Sequence, residues 1–230
     1  MTGEAKPLAV VCLSGGMDSA VTAALAALDH RLALLHANYG QRSQARELAC
    51  FQRLADRYGA ESRLVVDFTS LKAIGGSSLT DPVLPLREGE PIPGVVPDSY
   101  VPFRNAHLLS AAVSWAEVLG ARAVFMGAVW EDSSGYPDCR PEFYRAFQEA
   151  VREGTRPETS IRILTPVIAM SKAEIVRRGV ALDVPFEMTW SCYRAEERAC
   201  GLCESCMLRL RGFAEAGVPD PIPYRPAPVA

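Results

Sequence analysis

The stretch that decides the fold is "LSGGMDSA", residues 13–20, which lies between an apolar run and an alanine-rich run. The apolar residues 8–13 predict a buried strand, and residues 19–28 predict a helix. Two glycines, a carboxylate and two hydroxyls therefore meet where a strand gives way to a helix. Because ligands of α/β sheets bind beyond the carboxyl ends of the strands, this turn is a candidate ligand site.

Outward from this turn, strands and helices alternate along the chain. The apolar patterns predict further strands at 31–37, 64–68, 123–130 and 161–166, and further helices at 43–58, 105–119, 142–153, 171–178 and 204–216. This alternation predicts an α/β fold, a Rossmann-like doubly wound parallel sheet covered on both faces. Residues 70–104, rich in proline and glycine, leave little room for regular structure and are interpreted as a long functional loop.

Composition and charge narrow the class of protein. The chain has 230 residues, of which 49% are hydrophobic, and a formal net charge of -3, so we expect one sizeable core and no nucleic-acid partner bound through a broad cationic surface. No apolar run approaches the roughly 20 residues that span a bilayer, and residues 1–7 do not read as a secretory signal. We therefore expect a cytoplasmic protein without a membrane partner, whose cysteines are reduced.

The glycine-rich turn has the chemistry of a phosphate site. Gly15 and Gly16 allow close backbone approach to a ligand, and the N–H groups at the start of a helix suit phosphate. The turn lacks the residue patterns of the Walker loop, the dinucleotide fingerprint and the nucleophile elbow. Asp18 predicts Mg²⁺, because a carboxylate beside phosphates needs a cation between them. The alternative is an ordinary turn in which Ser14 or Asp18 caps the helix.

A strand followed by S-G-G-x-D-S resembles the pyrophosphate-loop (PP-loop) ATPases, in which this turn holds the phosphates of ATP. The segment Ser171-Lys172-Ala173-Glu174 reads as a capping box, which places Lys172 in the first turn of a helix. A cation there opposes the helix dipole, so we interpret Lys172 as facing phosphates. A solvated surface lysine is the alternative. The PP-loop enzymes are similar in having a late S/T-K-x-E segment.

Four clustered cysteines, spaced C-x7-C-x2-C-x2-C, predict a structural metal centre. They are Cys192, Cys200, Cys203 and Cys206. Four thiolates complete a tetrahedron around Zn²⁺ and leave no open position for a substrate, although iron–sulfur centres also use four thiolates. We assign residues 1–183 to the nucleotide-binding domain and residues 184–230 to a small zinc-binding appendage with a proline-rich tail.

Two further segments, "YVPFRN" (100–105) and "EDSSGYPDCRPEF" (131–143), combine aromatic, acidic and cationic residues that suit a planar heterocycle bearing an acid. A hydrated loop is the alternative. With "NYGQR" (38–42), "SKAEI" (171–175) and "WSCY" (190–193), the motifs together resemble the 7-cyano-7-deazaguanine synthase family over almost the whole chain. The substrate residues proposed from these segments are Tyr100, Phe103, Arg104, Asn105, Asp132, Tyr136, Asp138 and Arg140.

The resemblance implies a homodimeric ligase that converts 7-carboxy-7-deazaguanine, ATP and ammonia to the nitrile, with Mg²⁺ at the ATP and Zn²⁺ on the cysteines. ATP is then expected on Leu13, Ser14, Gly15, Gly16, Met17, Asp18, Ser19 and Ala20. Catalytic roles fall to Asp18, Ser19 and Lys172. Whether AMP or ADP is released stays open. A tRNA thiolase, another amidating ligase and a non-enzymatic nucleotide-binding zinc module are the alternatives.

Overall fold

Strand β1 (Leu8–Cys12) lies in the middle of a five-stranded parallel sheet whose order is β3-β2-β1-β4-β5. The computed structural model describes residues 5–92, 94–130 and 135–226. The other strands are β2 (Arg31–Asn38), β3 (Ser62–Asp67), β4 (Ala123–Met126) and β5 (Arg162–Leu164). The order reverses at β1, so the turn after β1 occupies the position where doubly wound sheets bind ligands. The predicted fold class is confirmed.

Helices cover both faces of this sheet. They are α1 (Met17–Ala27), α2 (Gln44–Arg57), α3 (Ser70–Ile74), α4 (Arg104–Leu119), α5 (Pro141–Gly154), α6 (Lys172–Ala181) and α7 (Glu204–Ala216). Side chains of α1, α2, α6 and α7 share one buried cluster with the strands. Side chains of α4 and α5 form a second buried cluster with the strands. None of the described helices has the length and apolar content needed to cross a bilayer.

Two segments differ from the predicted pattern. Strand β4 ends at Met126 and does not continue to Trp130, because the strands it pairs with end at the same level, β1 at Cys12 and β5 at Leu164. The next residue, Gly127, passes so close to α1 that a Cβ there would lie 2.8 Å from Ser19 Cα. The long loop begins with a short helix, α3. The rest of that loop is held by a small apolar cluster, since Leu79, Leu86 and Val101 pack with Tyr39 and Leu71.

The C-terminal segment folds back onto the first turn of the sheet. Trp190 N donates to Gly15 O at 2.9 Å, and its indole is buried among the clustered cysteines. Helix α7 packs so tightly on α6 that a Cβ at Gly212 would lie 2.7 Å from Lys172 Cβ. Residues far apart in sequence are thereby brought to the carboxyl end of β1.

Candidate active site

A cavity of about 250 Å³ opens at the carboxyl ends of β1, β2 and β4. Ten of the residues proposed from the sequence line it: Leu13, Ser14, Gly16, Met17, Asp18, Ser19, Arg104, Asn105, Tyr136 and Lys172. The glycine-rich turn and the proposed heterocycle-binding residues therefore share one concave site.

The turn itself needs glycine at Gly15. Its φ is +90°, a conformation that side-chain-bearing residues rarely adopt, and a Cβ there would lie 2.7 Å from Glu47 O. Gly16 is the N-cap residue of α1, and no side chain caps this helix. The alternative in which Ser14 or Asp18 caps α1 is therefore not observed. Ser14 Oγ and Ser19 Oγ lie 3.1 Å apart beside the helix start, so hydroxyls accompany its N–H groups.

Lys172 reaches the turn from α6. The capping box is present as predicted: Glu174 N donates to Ser171 Oγ at 3.2 Å, and Ser171 N donates to Glu174 Oε2 at 2.8 Å. Lys172, at the first position of α6, donates from Nζ to Asp18 Oδ2 at 2.7 Å. Its side chain is only 9% exposed. The alternative of a solvated surface lysine is wrong, because this ammonium lies in the cavity wall.

The donor set at the turn fits a divalent cation. Asp18 Oδ1 is buried and accepts no hydrogen bond, so one carboxylate oxygen of the pair retains its full acceptor capacity. Mg²⁺ prefers a site with one or two carboxylates in which phosphate oxygens complete the coordination. Asp18 is thus suited to hold such an ion between itself and a bound triphosphate.

Arg104 forms the cationic part of the cavity. Its Nη1 donates to Tyr39 OH at 3.0 Å, and its guanidinium lies 5.3 Å from the Tyr39 ring centroid and 5.9 Å from that of Tyr136. Stacking between aromatic faces fixes the planar fork of an arginine in one orientation. The cavity therefore holds a fixed cation beside two rings, an arrangement suited to an aromatic acid.

A chain of hydroxyl groups connects the cavity to the cysteine-bearing segment. The phenol of Tyr193 lies beside that of Tyr136, and the two interact electrostatically. Tyr136 OH donates to Ser99 Oγ at 3.0 Å, and Ser99 Oγ donates to Glu204 Oε2 at 3.3 Å. The long loop supplies Ser99, and the first residue of α7 supplies Glu204. Both segments thus determine where the Tyr136 ring lies.

The titratable groups of the cavity wall favour binding over nucleophilic attack. Burial raises the pKa of Tyr39 to about 12 and raises the pKa of Tyr136 and Tyr193 as well. Burial also raises the pKa of Cys12 to about 12 and of Cys139 to about 11. These phenols and thiols therefore stay protonated near neutral pH, where a thiol is a poor nucleophile.

The four clustered cysteines converge on one point. Their Sγ atoms all lie within 4.8 Å of one another, and Cys200 Sγ and Cys206 Sγ are 3.9 Å apart. Four thiolates about 2.3 Å from one tetrahedral Zn²⁺ lie about 3.8 Å apart. Hydrogen bonds to the Cys203 and Cys206 thiols and to backbone N–H groups lower the pKa of Cys192. The arrangement fits a single ion and is too compact for a four-iron cluster, in which each thiolate binds a different iron.

Comparison with known proteins assigns the chain to a family. The family model described as "Queuosine biosynthesis protein QueC" matches residues 8–217. The chain belongs to this family. It is 57% identical over 96% of its length to the 7-cyano-7-deazaguanine synthase of Chloroherpeton thalassium, of which it covers 98%. It is 56% identical over 96% of its length to the synthase of Chlorobaculum parvum, of which it covers 97%.

Among solved structures, the chain is similar to the NMN synthetase from Francisella tularensis, with 18% identity, a TM-score of 0.46, and coverage of 80% of this chain and 65% of that one. It is also similar to the NAD+ synthetase from Burkholderia pseudomallei, with 15% identity, a TM-score of 0.47, and coverage of 93% and 75%.

Membership of the QueC family confirms the prediction of a queuosine-biosynthesis enzyme. It favours this prediction over a thiolase or a non-enzymatic zinc module.

Not every residue proposed from the sequence lines the cavity of this QueC-family chain. Ala20 is in the core, and Gly15 packs against α2. Tyr100 stacks against Tyr136 with ring centroids 5.7 Å apart, behind the cavity wall. Phe103 is 58% exposed.

The acidic and cationic residues of the second segment have local contacts. Asp138 accepts from Asn105 N at 2.9 Å and so fixes the start of α4. Arg140 Nε donates to Pro137 O at 3.0 Å. Neither side chain lines the cavity. Asp132 lies outside the described residues, so its proposed contact with substrate stays a prediction.

Residues that the sequence interpretation did not assign complete the wall. They are chiefly Tyr39, Glu47, Ser191, Tyr193 and Ser205. Tyr39 and Tyr193 occur in "NYGQR" and "WSCY", the two motifs that carried the family resemblance without a role. Their occurrence in these motifs is therefore the signal from which Tyr39 and Tyr193 could have been predicted as residues of the site. Glu47 has no such signal, because it reads as an ordinary polar position of an amphipathic helix.

Proposed function

We propose that the chain converts 7-carboxy-7-deazaguanine and ammonia to 7-cyano-7-deazaguanine at the expense of ATP. One observation carries the proposal: the glycine-rich turn with its Asp18–Lys172 pair and the Arg104–Tyr39 stack lie in a single cavity. The first group suits a triphosphate and the second suits an aromatic acid. The names of the curated relatives support the same reaction.

The proposed ATP site comprises the turn and the start of α1. Its N–H groups, the hydroxyls of Ser14 and Ser19, and the ammonium of Lys172 would bind the phosphates. Asp18 would hold Mg²⁺, which when bound neutralises triphosphate charge and favours departure of pyrophosphate. The four thiolates would hold Zn²⁺ in a structural role, because a closed tetrahedron offers no position to substrate.

The acid must be activated by ATP before ammonia can react with it, because the oxygen of a carboxylate is a poor leaving group. Transfer of AMP to a carboxylate oxygen gives a mixed anhydride and releases pyrophosphate. Ammonia then attacks the acyl carbon, loses a proton and displaces AMP, which leaves the amide. A second transfer of AMP, from a second ATP to the amide oxygen, releases a second pyrophosphate. Loss of AMP and of the remaining N–H protons then gives the nitrile. Two ATP molecules are consumed for each nitrile.

In this scheme the protein acts by position and charge. Arg104 would hold the acid in the plane set by Tyr39 and Tyr136, and Lys172 would stabilise charge that develops on the phosphates. No protein nucleophile is needed, which agrees with the raised pKa values of Cys12 and Cys139.

The deciding experiment is incubation of the protein with 7-carboxy-7-deazaguanine, ATP, Mg²⁺ and ammonium, followed by mass spectrometry of the organic product. We expect the nitrile, with the amide as an earlier intermediate. An acid recovered intact, together with unchanged ATP, contradicts the proposed function. Phosphorus NMR of the spent nucleotide tests the activation step: AMP and pyrophosphate are expected, and ADP as the direct product excludes adenylylation.

Two expectations from the sequence belong to this proposal. The family resemblance implies a homodimer, which light scattering of the purified protein tests through its molar mass. The division between residues 183 and 184 predicts that the four-cysteine segment is a separate unit, although it packs on the glycine-rich turn. Limited proteolysis with and without metal tests that division, since a separate unit yields a cut close to residue 183.

A further inference from the structure

Glu47 places a carboxylate in the cavity wall that the proposed chemistry does not use. It lies in the first turn of α2, at the carboxyl end of β2, and lines the same cavity as Tyr39 and Arg104. Its backbone oxygen is the atom that a Cβ at Gly15 would meet, so this part of α2 lies directly against the glycine-rich turn. A carboxylate in this position needs an explanation, because burial of an unpaired charge is costly.

The carboxylate is held in one orientation by its neighbours. Ser43 Oγ donates to Glu47 Oε1 at 2.5 Å, and Gln41 Nε2 donates to Glu47 Oε2 at 2.9 Å. Gln41 is itself only 4% exposed, and its Oε1 accepts from Tyr39 N at 2.8 Å. Gln41 thus binds both the backbone of Tyr39 and the carboxylate of Glu47. Such support is typical of a binding group whose position matters.

The bonding capacity of this carboxylate is not exhausted. An ionised carboxylate accepts at about four positions, about two on each oxygen. The side chains around Glu47 use one on each oxygen, and no ion pair involves Glu47 among the described residues. One acceptor position therefore remains on each oxygen. Two parallel N–H donors, on one edge of a planar ligand, match such a pair.

We propose that Glu47 determines substrate specificity by accepting two hydrogen bonds from the ring N–H and the exocyclic amine of a guanine-like heterocycle. This inference rests on the proposed function and adds which edge of the acid is recognised. Arg104 offers only donors and Glu47 only acceptors, so the two ends of the ligand are distinguished. Burial raises the pKa of Glu47, and two further N–H donors would stabilise its ionised form.

The test compares the deazaguanine acid with an analogue that lacks the exocyclic amine. Binding of each is measured by calorimetry without ATP, and turnover is measured separately. We expect the wild-type protein to bind the amine-bearing acid about 100-fold more tightly, because a site built around an N–H donor rejects a ligand without it. We expect Glu47→Gln to reduce this ratio to below about tenfold and to leave the KM for ATP unchanged.

The variants are chosen to preserve the fold. A glutamine at position 47 can accept from Gln41 and donate to the Ser43 hydroxyl, but it presents only one acceptor to the ligand. Glu47→Asp keeps the charge with a shorter reach and should retain part of the discrimination. Asp56→Asn, also on α2 but in an exposed ion pair with Arg63 of β3, is the matched control and should change nothing.

Three other outcomes overturn the inference, and a fourth contradicts only the proposed function. An unchanged binding ratio in Glu47→Gln shows that another group reads this edge. A changed Mg²⁺ dependence with unaltered affinity for the acid assigns Glu47 to the metal instead. A wild-type protein that converts the acid but does not discriminate overturns the inference and leaves the proposed function standing. A wild-type protein that discriminates in binding but converts neither acid contradicts the proposed function alone.

Discussion

At the scale of single residues, the Asp18–Lys172 pair explains why a lysine occupies a helix start. A cation in the first turn opposes the helix dipole by a few tenths of a kcal/mol or more. The 2.7 Å contact with Asp18 offsets this, and it holds the ammonium in the cavity wall. Each partner keeps the other from being an isolated charge, so the two residues must be tested together.

We expect Lys172→Met and Asp18→Asn each to lower kcat/KM for ATP by about 100-fold, because Lys172 would stabilise charge on the departing phosphates and Asp18 would hold the Mg²⁺ that neutralises it. The double variant should lose less than the product of the two single effects, since the residues are in contact. Steady-state kinetics with saturating acid measures this. Arg177→Met, which removes an exposed cation of the same helix, is the control. A single variant with wild-type activity contradicts the proposed ATP site.

A comparison of alanine substitutions at Gly15 and Gly59 distinguishes the cost of backbone strain from the cost of steric overlap. Both have positive φ, +90° and +60°, but a Cβ would meet Glu47 O at 2.7 Å only at Gly15 and nothing within 4 Å at Gly59. We expect Gly59→Ala to lower the free energy of unfolding by about 1 kcal/mol, and Gly15→Ala to lower it by several times as much. Urea denaturation measures both. Equal losses show that α2 yields to the new methyl group.

At the scale of elements, local patterns predict boundaries better than they predict contacts. The capping box at Ser171 and the bounds of α7 agree with the prediction because adjacent residues determine both. The end of β4 does not, since it depends on where the strands that pair with it end, one of them more than 100 residues earlier in the chain. In the same way, the sequence predicted that Asp18 and Lys172 belong to the site but did not predict that Glu47 lines the cavity, which depends on the way α2 faces.

Strand β2 carries a buried histidine that makes stability depend on pH. His36 is 1% exposed and stacks on Phe51, with a ring-centroid distance of 5.1 Å. Burial lowers its pKa, although the hydrogen bond between Nδ1 and Leu13 O acts in the opposite direction. The unfolded chain, with a histidine pKa of about 6.5, therefore binds more protons than the folded chain as the pH falls.

We expect the free energy of unfolding to decrease as pH falls below about 6.5, with a slope of up to about 1.4 kcal/mol per pH unit from this group. Glu47 and Asp138, whose pKa values burial raises, contribute in the opposite sense. The measurement that identifies His36 is therefore the change, in a variant, of the slope of the unfolding free energy against pH. His36→Gln should flatten the loss between about pH 6.5 and 5, and an unchanged slope in this variant contradicts the assignment to His36. Urea titrations across this range measure it.

At the scale of the whole molecule, the cysteine-bearing segment is part of the cavity. It contributes Ser191 and Tyr193, while Ser205 and Glu204 begin the helix that follows the last but one cysteine. Tyr193 lies beside Tyr136, and Glu204 ends the chain of hydrogen bonds that runs from Tyr136 through Ser99. Metal binding at the four thiolates would therefore order one wall of the site without any contact to the substrate.

We expect removal of the metal by a chelator to abolish binding of the acid while far-UV circular dichroism retains the signal of the α/β sheet. Zinc added back should restore binding. Elemental analysis should give about one zinc per chain, whereas iron with a brown colour contradicts the assignment. Cys206→Ser should likewise abolish binding of the metal and of the acid. Tyr136→Phe, which breaks the hydroxyl chain but leaves the thiolates intact, should weaken acid binding without loss of metal.

The contact of Trp190 with Gly15 has a consequence for biosynthesis of the protein. The central strand leaves the ribosome before the other four strands, yet the residues that seal its ligand-binding end follow some 175 positions later. A nascent chain thus carries an open, incomplete pocket until the residues around Trp190 have emerged, and only then can it retain the proposed ligands. Ribosome-stalled fragments of increasing length should therefore acquire ligand protection in one late step.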